Sequence, residues 1–188
     1  AAIATPMTMT WDVASQSGQA ASTGVAEPVL LKPLATRSII YDQRGNEMAL
    51  LYADQDRQEV PLSSVPDAVR KTILTSEDAD FYSHKGINVR SLVRALHSDI
   101  DSGQVAQGGS TITQQLIKNS LLDSSQTIDR KVKEAVLAVR LEDQMSKKEI
   151  LERYLNTVYL GHGAYGVEAA SETYFNKSVA DIGWAEAA

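Results

Sequence analysis

The chain has no cysteine, which excludes a disulfide framework, thiolate metal sites and a cysteine nucleophile. No stretch comes near the roughly 20 consecutive apolar residues that a membrane span requires. The opening Ala1-Ala2-Ile3-Ala4 is far too short to span, and no complete signal peptide is visible. Basic residues do not dominate either. The formal net charge of −6 argues against a broad nucleic-acid footprint, which needs a basic face, but leaves room for local basic clusters around an anionic ligand. The three histidines, His84, His97 and His162, lack metal-ligand spacing, so no metal site is expected from them. No internal repeat is present.

What remains is one domain's worth of ordinary globular sequence, with 188 residues and 43% hydrophobic content. Residues 1–35 are rich in Ser, Thr, Gly, Gln and Ala without periodicity and carry Pro28 and Pro33, as expected of a linker. From residue 36 the texture changes. Ser38–Tyr41 and Met48–Tyr52 are short β-prone runs around the turn residues Asp42–Asn46, which predicts a hairpin. From Pro66 the pattern is helical almost throughout. Helices are expected from Pro66, over Asn88–Asp101, over Thr111–Leu121, over Thr127–Met145, from Ser146 to Tyr159, and from Tyr165 and Ser178. Ser146-x-x-Glu149 reads as a capping box. The run Trp184–Ala188 ends in mid-pattern, as expected of a truncated domain.

Glu77 is the most informative residue. In a helix whose apolar stripe uses Val69, Ile73, Leu74 and Phe81, it falls within the stripe. A carboxylate there is expected to be partly desolvated, with its pKa raised towards that of a useful general acid or base. The alternative ends the helix before Glu77 and makes residues 77–80 a solvated acidic turn. In the helix over Thr127–Met145 the predicted apolar stripe is Ile128, Val132, Ala135, Val136 and Val139. Arg130 and Glu134 fall on the opposite face, flanked by Lys131 and Lys133, as a surface ion pair or a cleft wall that holds an anionic leaving group.

Gly108-Gly109-Ser110-Thr111-Ile112-Thr113-Gln114-Gln115 leads a glycine-rich turn into a helix start. Such a start either binds anions, with Lys118 one turn later, or simply caps the helix. The two glutamine amides suit sugar hydroxyls. Gly161-His162-Gly163-Ala164-Tyr165-Gly166 matches the dinucleotide fingerprint G-x-G-x-x-G but follows a helix rather than a strand, so it reads as a tight helix-to-helix turn.

Taken in order, these segments resemble the glycosyltransferase family 51 domain of class A penicillin-binding proteins and monofunctional transglycosylases. Glu77–Gly86 matches E-D-x-x-F-x-x-H-x-G, Gly108–Gln115 matches G-G-S-T-I-T-Q-Q, Arg130–Glu134 matches R-K-x-x-E, and Lys148–Asn156 carries I-L-E-x-Y-L-N. The family's fifth motif and its membrane anchor are absent from these residues.

The resemblance implies a mainly α, lysozyme-like two-lobed domain over residues 36–188, with a small β-hairpin near its start and a juxtamembrane tether before it. It implies polymerisation of lipid II into β-1,4-linked glycan at the extracytoplasmic face of the bacterial cell membrane, a part of cell-wall biogenesis and cell shape. Glu77 would be the base, and Glu134 would act with Arg130, Lys131 and Lys118 around the departing pyrophosphate. Ser110, Thr111, Gln114, Gln115 and Asn156 would bind substrate, and Asp78, Phe81 and His84 would shape the pocket. No cofactor is required, although a divalent cation (Mg or Mn) assists some members. The implied partners are lipid II, lipid-linked glycan, the membrane surface and a transpeptidase domain in the same parent chain, with no nucleic acid. The rival readings are a lysozyme-like glycoside hydrolase, which has no use for the cations, and a non-catalytic lipid II-binding module.

Overall fold

The computed structural model describes residues 28–89, 109–122 and 128–188. They form a hairpin of β1 (Ser38–Tyr41) and β2 (Glu47–Leu51), followed by α1 (Asp67–Glu77), α2 (Ile112–Leu121), α3 (Ile128–Gln144), α4 (Lys147–Leu155), α5 (Val167–Phe175) and α6 (Trp184–Ala187). The expected mainly α fold with a β-hairpin near its start is therefore present. The expectations for residues 1–27, for the helix towards Asp101 beyond Val89, for the loop Gly103–Gly108, for His97 and for Thr127 lie outside the described residues.

The hairpin turn is built by one side chain. Asp42 Oδ1 accepts the backbone N–H groups of Arg44 at 2.7 Å and Asn46 at 2.8 Å, and Gly45 supplies a φ of +82°. The pairing is antiparallel with a bulge between Ile40 and Tyr41. Ile40, Tyr41, Met48 and Leu51 stay exposed, so the hairpin contributes little to the core.

The core lies around α2, which packs against α3 and α4. Leu116, Ile117, Leu141 and Leu151 are fully buried, each contributing about 1.5–3 kcal/mol by leaving water. Both predicted caps form. Thr111 closes a capping box with Gln114 at the start of α2, and Ser146 does so with Glu149 at the start of α4. The bond from Ser146 also holds the Glu149 carboxyl below its usual range. At the junction of α2, α3 and α4, Glu142 accepts from the Thr113 hydroxyl at 2.6 Å and pairs with Lys147 at 2.7 Å.

Helix α4 stops at Leu155 rather than Tyr159. The Asn156 side chain is drawn to another segment, accepting from Val60 N–H at 2.9 Å and donating to Val60 C=O at 2.8 Å. The following glycine turn fits against this stop. Gly166 has a φ of +86°, and a side chain there would come within 3.0 Å of Asn156 Cα. The residues from Gly161 to Gly166 thus form the expected tight connection into α5. The helix expected from Ser178 is instead a 3-10 turn, Val179–Asp181, separated by Ile182 and Gly183 from α6.

Two predicted helix faces need correction. Helix α1 ends at Glu77, so Phe81 does not extend its stripe; Phe81 enters the core from the turn that follows. In α3 the buried positions are Glu134, Ala138 and Leu141, while Val132 and Val136 are 57% and 47% exposed. The helix is rotated relative to its most hydrophobic face because Gly86 lies directly against the backbone of Ala138. A Cβ at Gly86 would come within 2.7 Å of it. Only a glycine fits against α3 at that point. Residues 28–35 have no helix or strand, yet Val29 and Leu31 pack on the core and the Lys32 carbonyl accepts from Arg153, so this part of the expected linker is seated on the body.

Candidate active site

Helix α2 gathers the motifs. Its first residue, Ile112, gives its N–H to Asp78 Oδ2 at 3.1 Å, and the same carboxylate receives His84 Nε2 at 2.9 Å. Asp78 and His84 therefore brace the turn after α1 against the start of α2. The Thr111 hydroxyl donates to Gly86 C=O at 2.6 Å and accepts from Gln114 N–H at 3.1 Å. The helix N-terminus is thus filled by the protein's own carboxylate and hydroxyl. These bonds cap the helix, as one of the two readings of this segment expected.

One turn along, the Gln115 amide nitrogen donates to Glu77 Oε2 at 2.8 Å, and its oxygen accepts from the Tyr154 hydroxyl at 3.1 Å. Glu77 is exposed at the end of α1 rather than shielded within an apolar stripe. The expected desolvation fails because the helix terminates at this residue and turns its carboxylate towards a cleft. That cleft, about 260 Å³, is lined by Thr75 to Asp80, Asn88 and Gly109 to Thr111.

On the other side of the cleft, Ser110 Oγ accepts from Lys131 at 2.6 Å, and Lys131 pairs with Glu134 Oε1 at 2.5 Å. Lys131 is half-exposed, whereas Glu134 is 1% exposed and its second oxygen has no hydrogen-bond partner. Glu134 is therefore enclosed by the protein rather than on an exposed helix face. Among the described residues Glu134 pairs with Lys131, three residues away, where the sequence suggested Arg130, four residues away. Lys118 is exposed one turn past Gln114 on α2.

The structure brings together Glu77, Asp78, His84, Ser110, Thr111, Gln115, Lys131 and Glu134. The polar side-chain atoms of Thr111 and Asn156 are engaged internally, and the Gln114 side-chain oxygen accepts from the Thr111 N–H. Phe81 is fully buried, its ring facing Lys147 Nζ at 4.4 Å. Tyr154 was not among the expected site residues. Its tyrosine within I-L-E-x-Y-L-N was the available signal, but helical spacing alone assigns it to the core, where its ring indeed lies.

A larger cleft, about 500 Å³, lies by Asn119 and Ser120 on α2 and is lined also by Arg57, Tyr159 and Tyr165. It holds none of the expected catalytic carboxylates. Glu77 lines the smaller of the two. Among the described residues there is no group of three or more His, Asp or Glu side chains able to hold a metal. A divalent cation at this cleft would take most of its oxygens from phosphate and water. No helix of the described residues is long and apolar enough to cross a membrane.

The sequence matches the family described as Transglycosylase over residues 44–188. It is 46% identical over 155 residues to penicillin-binding protein 1F of Bacillus subtilis (strain 168), covering 82% of this chain and 22% of that protein. It is 44% identical over 151 residues to penicillin-binding protein 1A of Aquifex aeolicus (strain VF5), covering 80% and 21%. It is also 40% identical over 162 residues to penicillin-binding protein 1A of Clostridium perfringens (strain 13 / Type A), covering 84% and 24%. The chain thus spans about a fifth to a quarter of the length of these relatives.

Proposed function

The chain belongs to the transglycosylase family, and on that premise we propose that it is the glycosyltransferase part of a peptidoglycan synthase. The donor is a growing glycan on a polyprenyl pyrophosphate, and the acceptor is lipid II. The observation that supports this reading is the convergence of three separate segments on the start of α2 and the residues just before it. Glu77 lines one cleft there, and the half-exposed ammonium of Lys131 reaches Ser110 at its rim.

In this reading the acceptor's 4-hydroxyl loses its proton to Glu77 as its oxygen attacks the donor's anomeric carbon. The glycosidic bond forms with inversion as the bond to the pyrophosphate oxygen breaks. A sugar hydroxyl is a poor nucleophile until its proton is accepted, which is what a positioned carboxylate supplies. The leaving group carries away the electron pair as phosphate charge, so fixed cations lower the barrier to its departure. Lys131 supplies that charge, with Lys118 and Arg130 as further cations from α2 and α3. Glu134 acts through Lys131: a buried carboxylate holds the half-exposed ammonium at the cleft edge.

The enzyme works at the extracytoplasmic face of the bacterial membrane, where its lipid-linked substrates are. The relatives' names and greater length support a transpeptidase domain elsewhere in the whole protein.

The test is lipid II polymerisation by the whole protein, wild type against Glu77→Gln. The variant should lose roughly a hundredfold or more of the rate. Short sugars released from finished glycan, with no polymer from lipid II, would instead establish a hydrolase. Lipid II binding that persists in wild type with no polymer would make the domain a binding module.

A further inference from the structure

We propose that Tyr154 is a positioning residue that fixes the polarity of the Gln115 amide and so keeps its N–H₂ directed at the Glu77 carboxylate. This rests on the reading of Glu77 as the base.

A glutamine amide can present either its N–H₂ or its C=O to a neighbouring carboxyl group, and the two ends are nearly the same shape. Facing Glu77 with N–H₂ stabilises the carboxylate. Facing it with C=O stabilises only the protonated acid. The choice sets which form of the Glu77 carboxyl the amide favours.

Tyr154 makes the choice. It is 2% exposed, and its hydroxyl donates to Gln115 Oε1 at 3.1 Å. With so little exposure, the O–H has no ready alternative in water, and an unpaired buried donor costs about 1–3 kcal/mol. If the amide flipped, N–H₂ would face the tyrosine oxygen and strand that proton. The donating phenol therefore keeps Oε1 on its own side and N–H₂ on Glu77, at 2.8 Å. Burial, followed by the charges of Glu77 and Asp78, raises the Tyr154 pKa well above its ordinary value, so it remains a donor at working pH.

The other titratable groups around the cleft are Asp78, bound to His84, Asp80 on the turn after α1, and Lys131, which reaches Ser110 from α3. None hydrogen-bonds to the Gln115 amide among the described residues. Tyrosine is thus the group that sets its direction.

Two readings of Tyr154→Phe test this. The first is the carboxyl-carbon NMR titration of Glu77 in the labelled protein, which needs no turnover. The midpoint should rise by about half a pH unit or more relative to wild type, since the amide can then turn its C=O to a protonated Glu77. The second is the pH profile of lipid II polymerisation. The loss should be confined to the acid limb, reaching about tenfold there for a one-unit rise, and vanish on the alkaline side. In a Gln115→Leu background, Tyr154→Phe should leave the Glu77 midpoint unmoved.

An unchanged midpoint in Tyr154→Phe, or a rate loss equal at every pH, overturns the proposal and leaves the tyrosine a packing residue. A midpoint that moves as expected while Glu77→Gln polymerises like wild type upholds the relay and removes Glu77 as the base. The NMR spectrum also reports whether the variant is folded.

Discussion

The Asp78 carboxylate holds the His84 ring through both its oxygens, at 2.9 and 3.1 Å, and the nearer one also takes the Ile112 N–H at 3.1 Å. One buried side chain thus caps α2 and ties it to the turn that follows Glu77. Asp78→Ala leaves a buried amide and a part-buried ring without their acceptor, and should cost about 3 kcal/mol. Asp78→Asn keeps an acceptor for Ile112 and should cost less. Urea unfolding midpoints of the two variants check the order.

Gly86 and Gly45 share nearly the same φ, +84° and +82°, but differ in surroundings. A Cβ at Gly86 would meet Ala138 backbone atoms at 2.7 Å, whereas at Gly45 nothing lies within 4 Å. Gly45→Ala should therefore cost only the backbone term, about 1 kcal/mol. Gly86→Ala should cost more than about 2 kcal/mol, because backbone cannot move aside as a side chain can. Paired thermal unfolding curves read the difference directly.

Lys131 and Glu134 should be non-additive. Lys131→Met leaves the buried Glu134 without its ammonium and should cost about 2 kcal/mol, the half-exposure of the lysine moderating the effect. The double variant Lys131→Met/Glu134→Leu removes the stranded charge as well and should be more stable than that single variant. A double-mutant cycle in urea measures the coupling.

Alkaline stability should depend on Tyr154. Its folded pKa is raised above the ordinary value, chiefly by burial, so above about pH 10 an unfolded chain ionises while the folded one does not. The unfolded state then binds fewer protons, and stability falls as pH rises. The contribution is complete below pH 10 and is lost above it. In Tyr154→Phe the melting temperature should decline less steeply between about pH 9 and pH 11 than in wild type, the other tyrosines being common to both.

Much of the fold was legible in the sequence. The hairpin, the starts of α1, α2 and α4, and the glycine turn before α5 all depend on local chemistry. A capping serine, a turn aspartate or a positive-φ glycine acts over a few residues. The helix faces were less legible. Val132 and Val136 are more hydrophobic than Glu134, yet Glu134 is the one enclosed, because the side of α3 that carries Glu134, Ala138 and Leu141 is the one packed against Gly86 and the core. Periodicity records which residues are apolar, not which neighbour a helix must accommodate.

The site divides along the same line. The order and spacing of Glu77–Gly86, Gly108–Gln115, Arg130–Glu134 and Lys148–Asn156 determined the family by themselves. Tertiary structure decided which of those side chains face the cleft and which support it. It ended α1 at Glu77 and exposed its carboxylate, spent Thr111 and Asn156 on internal bonds, and set Tyr154 behind Gln115. The physical reason is that a polar atom's partner is chosen by proximity in space, and residues 77, 115 and 154 become neighbours only once three helices have packed.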